Sequence, residues 1–142
     1  MRTQPQEVIA KLESDNSRLA KEKILLEAMN EGLDEFFEGL RMCLDKLYTF
    51  GVKQVPIKDD VISAQGCKWQ VFKDLAEKLN KRELTGHAAR DAINLVMSSA
   101  TAEQWNGFYR RILIKDLRCG VSEKTVNSVA KKNKFGKYMV PV

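Results

Sequence analysis

Apolar residues recur at three- and four-residue intervals through most of this chain, and little interrupts them. Trp69, Phe72, Leu75/Ala76 and Leu79 form one such series, and Trp105, Phe108/Tyr109, Ile112/Leu113 and Leu117 form another. That period belongs to the α-helix. Only three prolines and eight glycines punctuate 142 residues, too few turn-formers for a fold of many short strands. The predicted class is therefore all-α, a single compact domain of about six or seven helices. The pattern places helices at 5–13, 16–30, 33–48, 67–82, 86–99, 102–118 and 122–132. Breaks fall near Asp15–Asn16, at Gly32, at Leu84-Thr85-Gly86 and at Cys119-Gly120, with Thr101 and Ser122 as helix N-caps. Ala88, Ala89 and Ala92 leave room for a close neighbour beside the fifth helix. Residues 49–66, with Gly51, Pro56 and Gly66, lose the period and read as a long connection with short extended pieces. Residues 133–142 read as an extended tail, so the domain is expected over 1–135 and the tail over 136–142.

The charge is unevenly spread. The whole chain carries a net +5, yet residues 101–142 hold nine Lys/Arg against three acids, whereas the first 100 residues are nearly balanced. A positive surplus confined to the last third points to a polyanion contact there, or else to a solvated basic tail. The acidic residues Glu31, Asp34, Glu35 and Glu38 share helical spacing and read as a solvated face.

Several classes are disfavoured. No apolar run approaches a membrane span of about 18 residues, and the charged N-terminus is not a signal peptide. Cys43, Cys67 and Cys119 are an odd, scattered set, read as free thiols in a reducing compartment. The single histidine, His87, and the scattered cysteines lack zinc-site spacing. Glycine patterns that cradle nucleotides are absent. Cys119, between Arg118 and Gly120, has no evident base beside it and does not read as a nucleophile. No catalytic residue and no metal ligand is assigned.

Two glycine-bearing turns remain, each leading into a helix. A helix N-terminus offers unpaired N–H groups and partial positive charge, which suit a phosphate. Glycine removes the side chain that would hold a phosphate away. Thr85 and Ser122 add hydroxyls, and His87 sits in the first turn of its helix. On the helix at 102–118, Arg111, Lys115 and Arg118 line one face, exposed and opposite Trp105, Tyr109 and Leu113, and run into the second turn. Lys124 and Lys131 follow on the next helix. Ordinary capping, without a ligand, accounts for either turn taken alone.

The stretch Arg82-Glu83-Leu84-Thr85-Gly86-His87-Ala88-Ala89, followed by Arg111-Ile112-Leu113-Ile114-Lys115-Asp116-Leu117-Arg118-Cys119-Gly120-Val121-Ser122, resembles the N-terminal DNA-binding domain of ATP-dependent DNA ligases, bacteriophage type. The matching motifs lie within residues 67–132. The resemblance implies a helical domain lying across the minor groove of nicked duplex DNA and gripping backbone phosphates without reading sequence, in replication, repair or recombination. By motif position, Thr85, Gly86 and His87 would form one phosphate-binding turn, and Lys115, Arg118, Cys119, Gly120 and Ser122 the other, with Arg111 and Lys124 alongside. The family's next domain, a nucleotidyltransferase, carries a Lys-x-Asp-Gly motif whose lysine takes up AMP. That motif does not occur in these 142 residues. The chain is therefore expected to be non-catalytic, with no cofactor of its own. ATP and a divalent metal would belong to the parent ligase, and the tail would lead toward the absent nucleotidyltransferase domain. The expected partner is double-stranded nicked DNA, bound by a monomer, away from membranes, in the cytoplasm (the host's, if the source is viral).

Two other readings stay open. A helix-turn-helix regulator would use 102–118 and 122–132 as its helix pair, although Glu123 and Lys124 are poor base readers at the start of the second helix. A helical protein–protein adaptor would use the acidic N-terminal helices and leave the basic end unexplained.

Overall fold

The computed structural model describes residues 3–59 and 64–141, and among them the chain is all-α, with seven helices and no strand. Helix α1 spans Pro5–Ser14, α2 Arg18–Glu31, α3 Asp34–Leu44, α4 Trp69–Asn80 and α5 Gly86–Ser99. Helix α6 is composite. It starts as an α-turn at Ala102–Gln104, widens to a π-turn at Trp105–Tyr109, and ends as α-helix at Arg110–Leu113. Helix α7 spans Glu123–Lys132, and a single 3-10 turn follows at Gly136–Tyr138.

Local chemistry sets the starts. Pro5 occupies the first position of α1, where its missing N–H costs nothing. The Ser17 hydroxyl caps α2. Thr101 and Gln104 cap α6 reciprocally, each side chain taking the other's backbone N–H at 3.1 Å.

Helix α6 is the spine of the core. Trp105, Phe108, Tyr109, Ile112 and Leu113 are all buried. Gly39 of α3 makes their close approach possible. A Cβ there would lie 2.5 Å from Phe108 Cζ and 2.7 Å from Ile112 Cδ1. Trp69 and Phe72 of α4 stack in parallel beside Tyr109. Helices α1 and α3 pack on α6, α2 packs on α7, and α4 pairs with α5, where Ala89 is buried as its small size suggested.

The connection between α3 and α4 is long, as expected, and has no regular strand in its described part; its residues 60–63 lie outside the described residues. Side chains of α6 hold it. Trp105 Nε1 donates to the Pro56 carbonyl at 2.8 Å, and Arg110 Nε donates to Val55 at 2.8 Å. The Asn106 amide pairs with both backbone groups of Lys58, at 2.9 and 2.8 Å. The buried Lys58 ammonium donates to the Met97 and Ser98 carbonyls at the end of α5. A polar residue at each of these points satisfies backbone that the loop leaves unpaired.

Three expectations need correction. Helix α3 ends at Leu44, not 48. Helix α6 ends at Leu113, not 118. The last residues are not extended throughout: Gly136–Tyr138 form a 3-10 turn, Tyr138 stacks on Phe37 with centroids 4.3 Å apart, its hydroxyl bonds Asp34, and Val140 pairs with the Asn127 side chain through both backbone groups.

Candidate nucleic-acid interface

The end of α6 decides the geometry of the candidate site. Lys115 adopts a left-handed conformation, φ +57°. Its N–H bonds Ile112 O at 2.9 Å, and the Asp116 N–H reaches back to Arg111 O at 2.9 Å. This paired closure is a Schellman cap with lysine where glycine is usual. It ends the helix at Leu113, with the left-handed lysine two residues beyond. Arg111, Lys115 and Arg118 therefore do not line one helical face, and the cationic stripe expected over 102–118 is absent.

The three cations have separate employments. Arg111, with 19% of its side chain exposed, pairs with Glu13 at 3.1 Å. It also donates to the Asn106 and Leu117 carbonyls, at 3.2 and 3.0 Å. The Lys115 ammonium turns inward and donates to the Asp45 carbonyl at 2.6 Å and to the Tyr48 carbonyl. Partial burial pushes the pKa of Lys115 down from its ordinary value. The expectation that Lys115 is an exposed contact without a structural role is thus overturned: it fastens the chain just past α3. Arg118 remains outward, with 60% of its side chain exposed and only a loose 3.5 Å pairing to exposed Asp116.

Beyond Arg118 (φ +54°) the chain makes the second glycine turn. Cys119 is buried, and burial raises its thiol pKa, so its side chain does not lie at the surface. Its carbonyl accepts a 2.6 Å hydrogen bond from Lys21 of α2. Gly120 is exposed at φ +69°. Ser122 precedes α7, and its hydroxyl accepts from the Thr125 N–H at 3.4 Å. Lys124 is exposed on the first turn of α7. An open cleft of about 300 Å³ is lined by Cys43, Lys115, Arg118, Cys119, Gly120 and Ser122 among others.

The first glycine turn is simpler. Thr85, Gly86 and His87 are all exposed. Thr85 precedes α5, but its side chain makes no cap hydrogen bond. Gly86 has φ +55°, and nothing lies within 4 Å of where a Cβ would stand. Arg90, which the sequence reading left out, brings its guanidinium to 2.8 Å from His87 Nδ1. The signal for it was present: a cation three residues after His87, in the first turn of a helix whose start is already positive.

Other chemistry finds no support in the arrangement. Among the described residues no three His, Cys, Asp or Glu side chains gather as metal ligands. No described helix is long and apolar enough to cross a membrane. The helix-turn-helix alternative loses its geometry, since residues 114–122 separate α6 from α7 where that motif has a turn of about three or four residues.

Over 98% of its length the chain is similar to a solved structure named Pmar-Lig_PreS3, with 61% identity and a TM-score of 0.93. Another, named Pmar-Lig_Pre., matches at 60% identity over 98% of the chain, also with a TM-score of 0.93. The likeness is to one part of a ligase-related protein. The chain spans 32% of the first structure's chain and 31% of the second's. No family model matches the chain, and no curated protein does.

Proposed function

We propose that this ligase-related chain binds duplex DNA through backbone phosphates in the minor groove, without sequence preference, as the DNA-binding domain of an ATP-dependent DNA ligase of bacteriophage type. Its substrate is nicked duplex, met in replication, repair or recombination. The observation that carries the reading is the ligase-related likeness over 98% of the chain, at 61% identity. The surface agrees with it. Two helix starts, with Gly86 and the cap Ser122 exposed, belong to glycine turns, and Arg90, Arg118 and Lys124 stand beside them. Amides at helix starts and cations nearby position a protein on a duplex but read no bases.

The contact residues are Thr85, Gly86, His87, Arg90, Arg118, Gly120, Ser122 and Lys124. Arg111, Lys115 and Cys119 support them from within. ATP and a divalent metal act in the rest of the parent ligase, because the adenylation motif Lys-x-Asp-Gly is missing from these residues. Labelled ATP should leave no AMP on the purified chain.

Fluorescence anisotropy of labelled nicked duplex across a salt series tests the reading. If about five phosphates are neutralised, log K falls against log salt with a slope of roughly −4 to −5. Scrambling the duplex sequence should change the affinity little. A flat salt response, or a strong preference for one sequence, rejects the proposal.

A further inference from the structure

The cation most deeply involved in the second turn comes from the other end of the chain. Lys21 lies on α2 and is 8% exposed. Its ammonium makes one hydrogen bond, to the Cys119 carbonyl at 2.6 Å, and no carboxylate pairs with it among the described residues. A buried charge without a counterion is costly, and proteins retain one where an anion or a special orientation requires it. Gly120 lies against the same contact: a Cβ there would meet Lys21 Nζ, so a side chain at 120 would require the ammonium to shift, in a backbone whose positive φ already favours glycine.

We propose that Lys21 is the positioning residue of the phosphate-binding turn at Arg118–Ser122, an inference that rests on the DNA-binding reading above. In a planar trans peptide the C=O and the following N–H point in opposite directions. Lys21 draws the Cys119 carbonyl inward, so the Gly120 N–H points out of the protein. That N–H has no acceptor among the described residues. Gly120 thus offers an amide of this turn, aimed outward by its own peptide, to a ligand. The ammonium polarises the peptide it holds, which strengthens the N–H at the other end as a donor. It also sets a fixed positive charge behind the turn, in a medium that screens poorly. A DNA backbone phosphate on Gly120 N–H, flanked by Arg118 and Ser122, supplies the missing countercharge.

The test uses the 142-residue chain, nicked duplex DNA as the probe, and the Gly120 amide resonance as a local reporter. In the parent chain, adding duplex should shift the Gly120 amide strongly. Lys21→Met keeps the length and apolar stem but removes the charge. It should leave a dispersed spectrum, raise Kd about tenfold for all duplexes alike, and abolish the Gly120 shift. A folded Lys21→Met chain with unchanged Kd and an unchanged Gly120 shift overturns the inference while leaving the DNA-binding reading intact. So does a parent chain that binds DNA without moving the Gly120 amide, a result that needs no variant. A parent chain that does not bind duplex at all overturns both.

Discussion

The turn before α5 and the turn before α7 look alike in sequence. Each has a glycine at positive φ, a hydroxyl residue, and a helix start open to solvent. Their construction differs. At the first, the Thr85 hydroxyl makes no cap bond and nothing surrounds the space beside Gly86. At the second, Ser122 caps its helix, Lys21 fills the space beside Gly120, and Lys115 ties the approach to the end of α3. The first turn leaves its own groups free for a ligand. The second is preorganised, with most of its polar groups spent on holding its shape. A phosphate can be bound either way, because preorganisation lowers the ordering cost of binding and open amides supply the contacts.

The largest expected difference comes from valine at the two glycines. Gly120→Val meets the Lys21 ammonium, breaks its bond to Cys119, and strains a left-handed backbone; it should lower stability by about 3 kcal/mol. Gly86→Val meets nothing within 4 Å and carries only the backbone strain, about 1–2 kcal/mol. Thermal unfolding of both variants decides the matter, and equal losses would erase the contrast between the turns. Cations at the second turn should separate in the same way. Lys115→Met leaves the carbonyls of Asp45 and Tyr48 unpaired and should cost about 2 kcal/mol. Arg118→Ala should cost less than about 0.5 kcal/mol, yet weaken binding to every duplex and reduce the salt slope by about one unit. If Arg118→Ala binds as tightly as the parent, the exposed arginine is only solvated surface.

The sequence displayed the helices plainly because their apolar periodicity is unbroken and their N-caps are ordinary. Thr101 and Ser122 cap where their side-chain chemistry suggested. It hid the end of α6, since that helix stops at a left-handed lysine where glycine is the usual mark. What stabilises Lys115 there is a pair of carbonyls near residue 45, far away in the chain. The same left-handed positions at Arg82 and Lys134 carry long basic side chains, so no local pattern announces them. Lys21 was equally hidden. It lies in a charge-balanced region and reaches a turn 98 residues away. Of the candidate site, the two turns were legible as motifs. Which groups face outward was not, because that depends on contacts between distant segments.

A smaller effect should appear at alkaline pH and bear more on the second turn, where the Cys43 and Cys119 thiols are both raised by burial, than on the first. Cys43 lies against this turn, and burial pushes its thiol from 9.0 up to about 12. The folded state holds the proton more tightly than the unfolded state. Stability is therefore full below pH 9 and is lost as pH rises from about 9 toward 12. At pH 10 the contribution of this thiol is about 1 kcal/mol. Urea unfolding at pH 8 and pH 10 should show the loss, and Cys43→Ala should reduce it. The depressed Lys115 ammonium acts with the opposite sign, gaining stability as pH approaches its unfolded value, and so blunts the fall. Hydrogen exchange should loosen first in the segment after α6. An equal loosening around Gly86 would mean that the alkaline effect is global and says nothing about the turns.

The finest test exchanges the two hydroxyls. The Ser122 hydroxyl accepts from Thr125 N–H at 3.4 Å, a long cap bond, so Ser122→Ala should cost about 0.5–1 kcal/mol, the low end for an N-cap. Thr85 makes no cap bond, so Thr85→Ala should leave the melting temperature within about one degree. In DNA binding the order should reverse. Thr85 keeps its hydroxyl for the ligand, and its loss removes one neutral hydrogen bond to a phosphate, about 1 kcal/mol or roughly fivefold in Kd. Ser122 has already committed its oxygen to α7 and contributes less to the ligand, so its replacement should change Kd by no more than about twofold once the folded fraction is accounted for. The crossed pattern matters more than either number. One variant loses stability and keeps affinity, and the other keeps stability and loses affinity. Should both hydroxyls affect affinity alike, the second turn is as open to its ligand as the first, and the Ser122 cap must give way when phosphate binds.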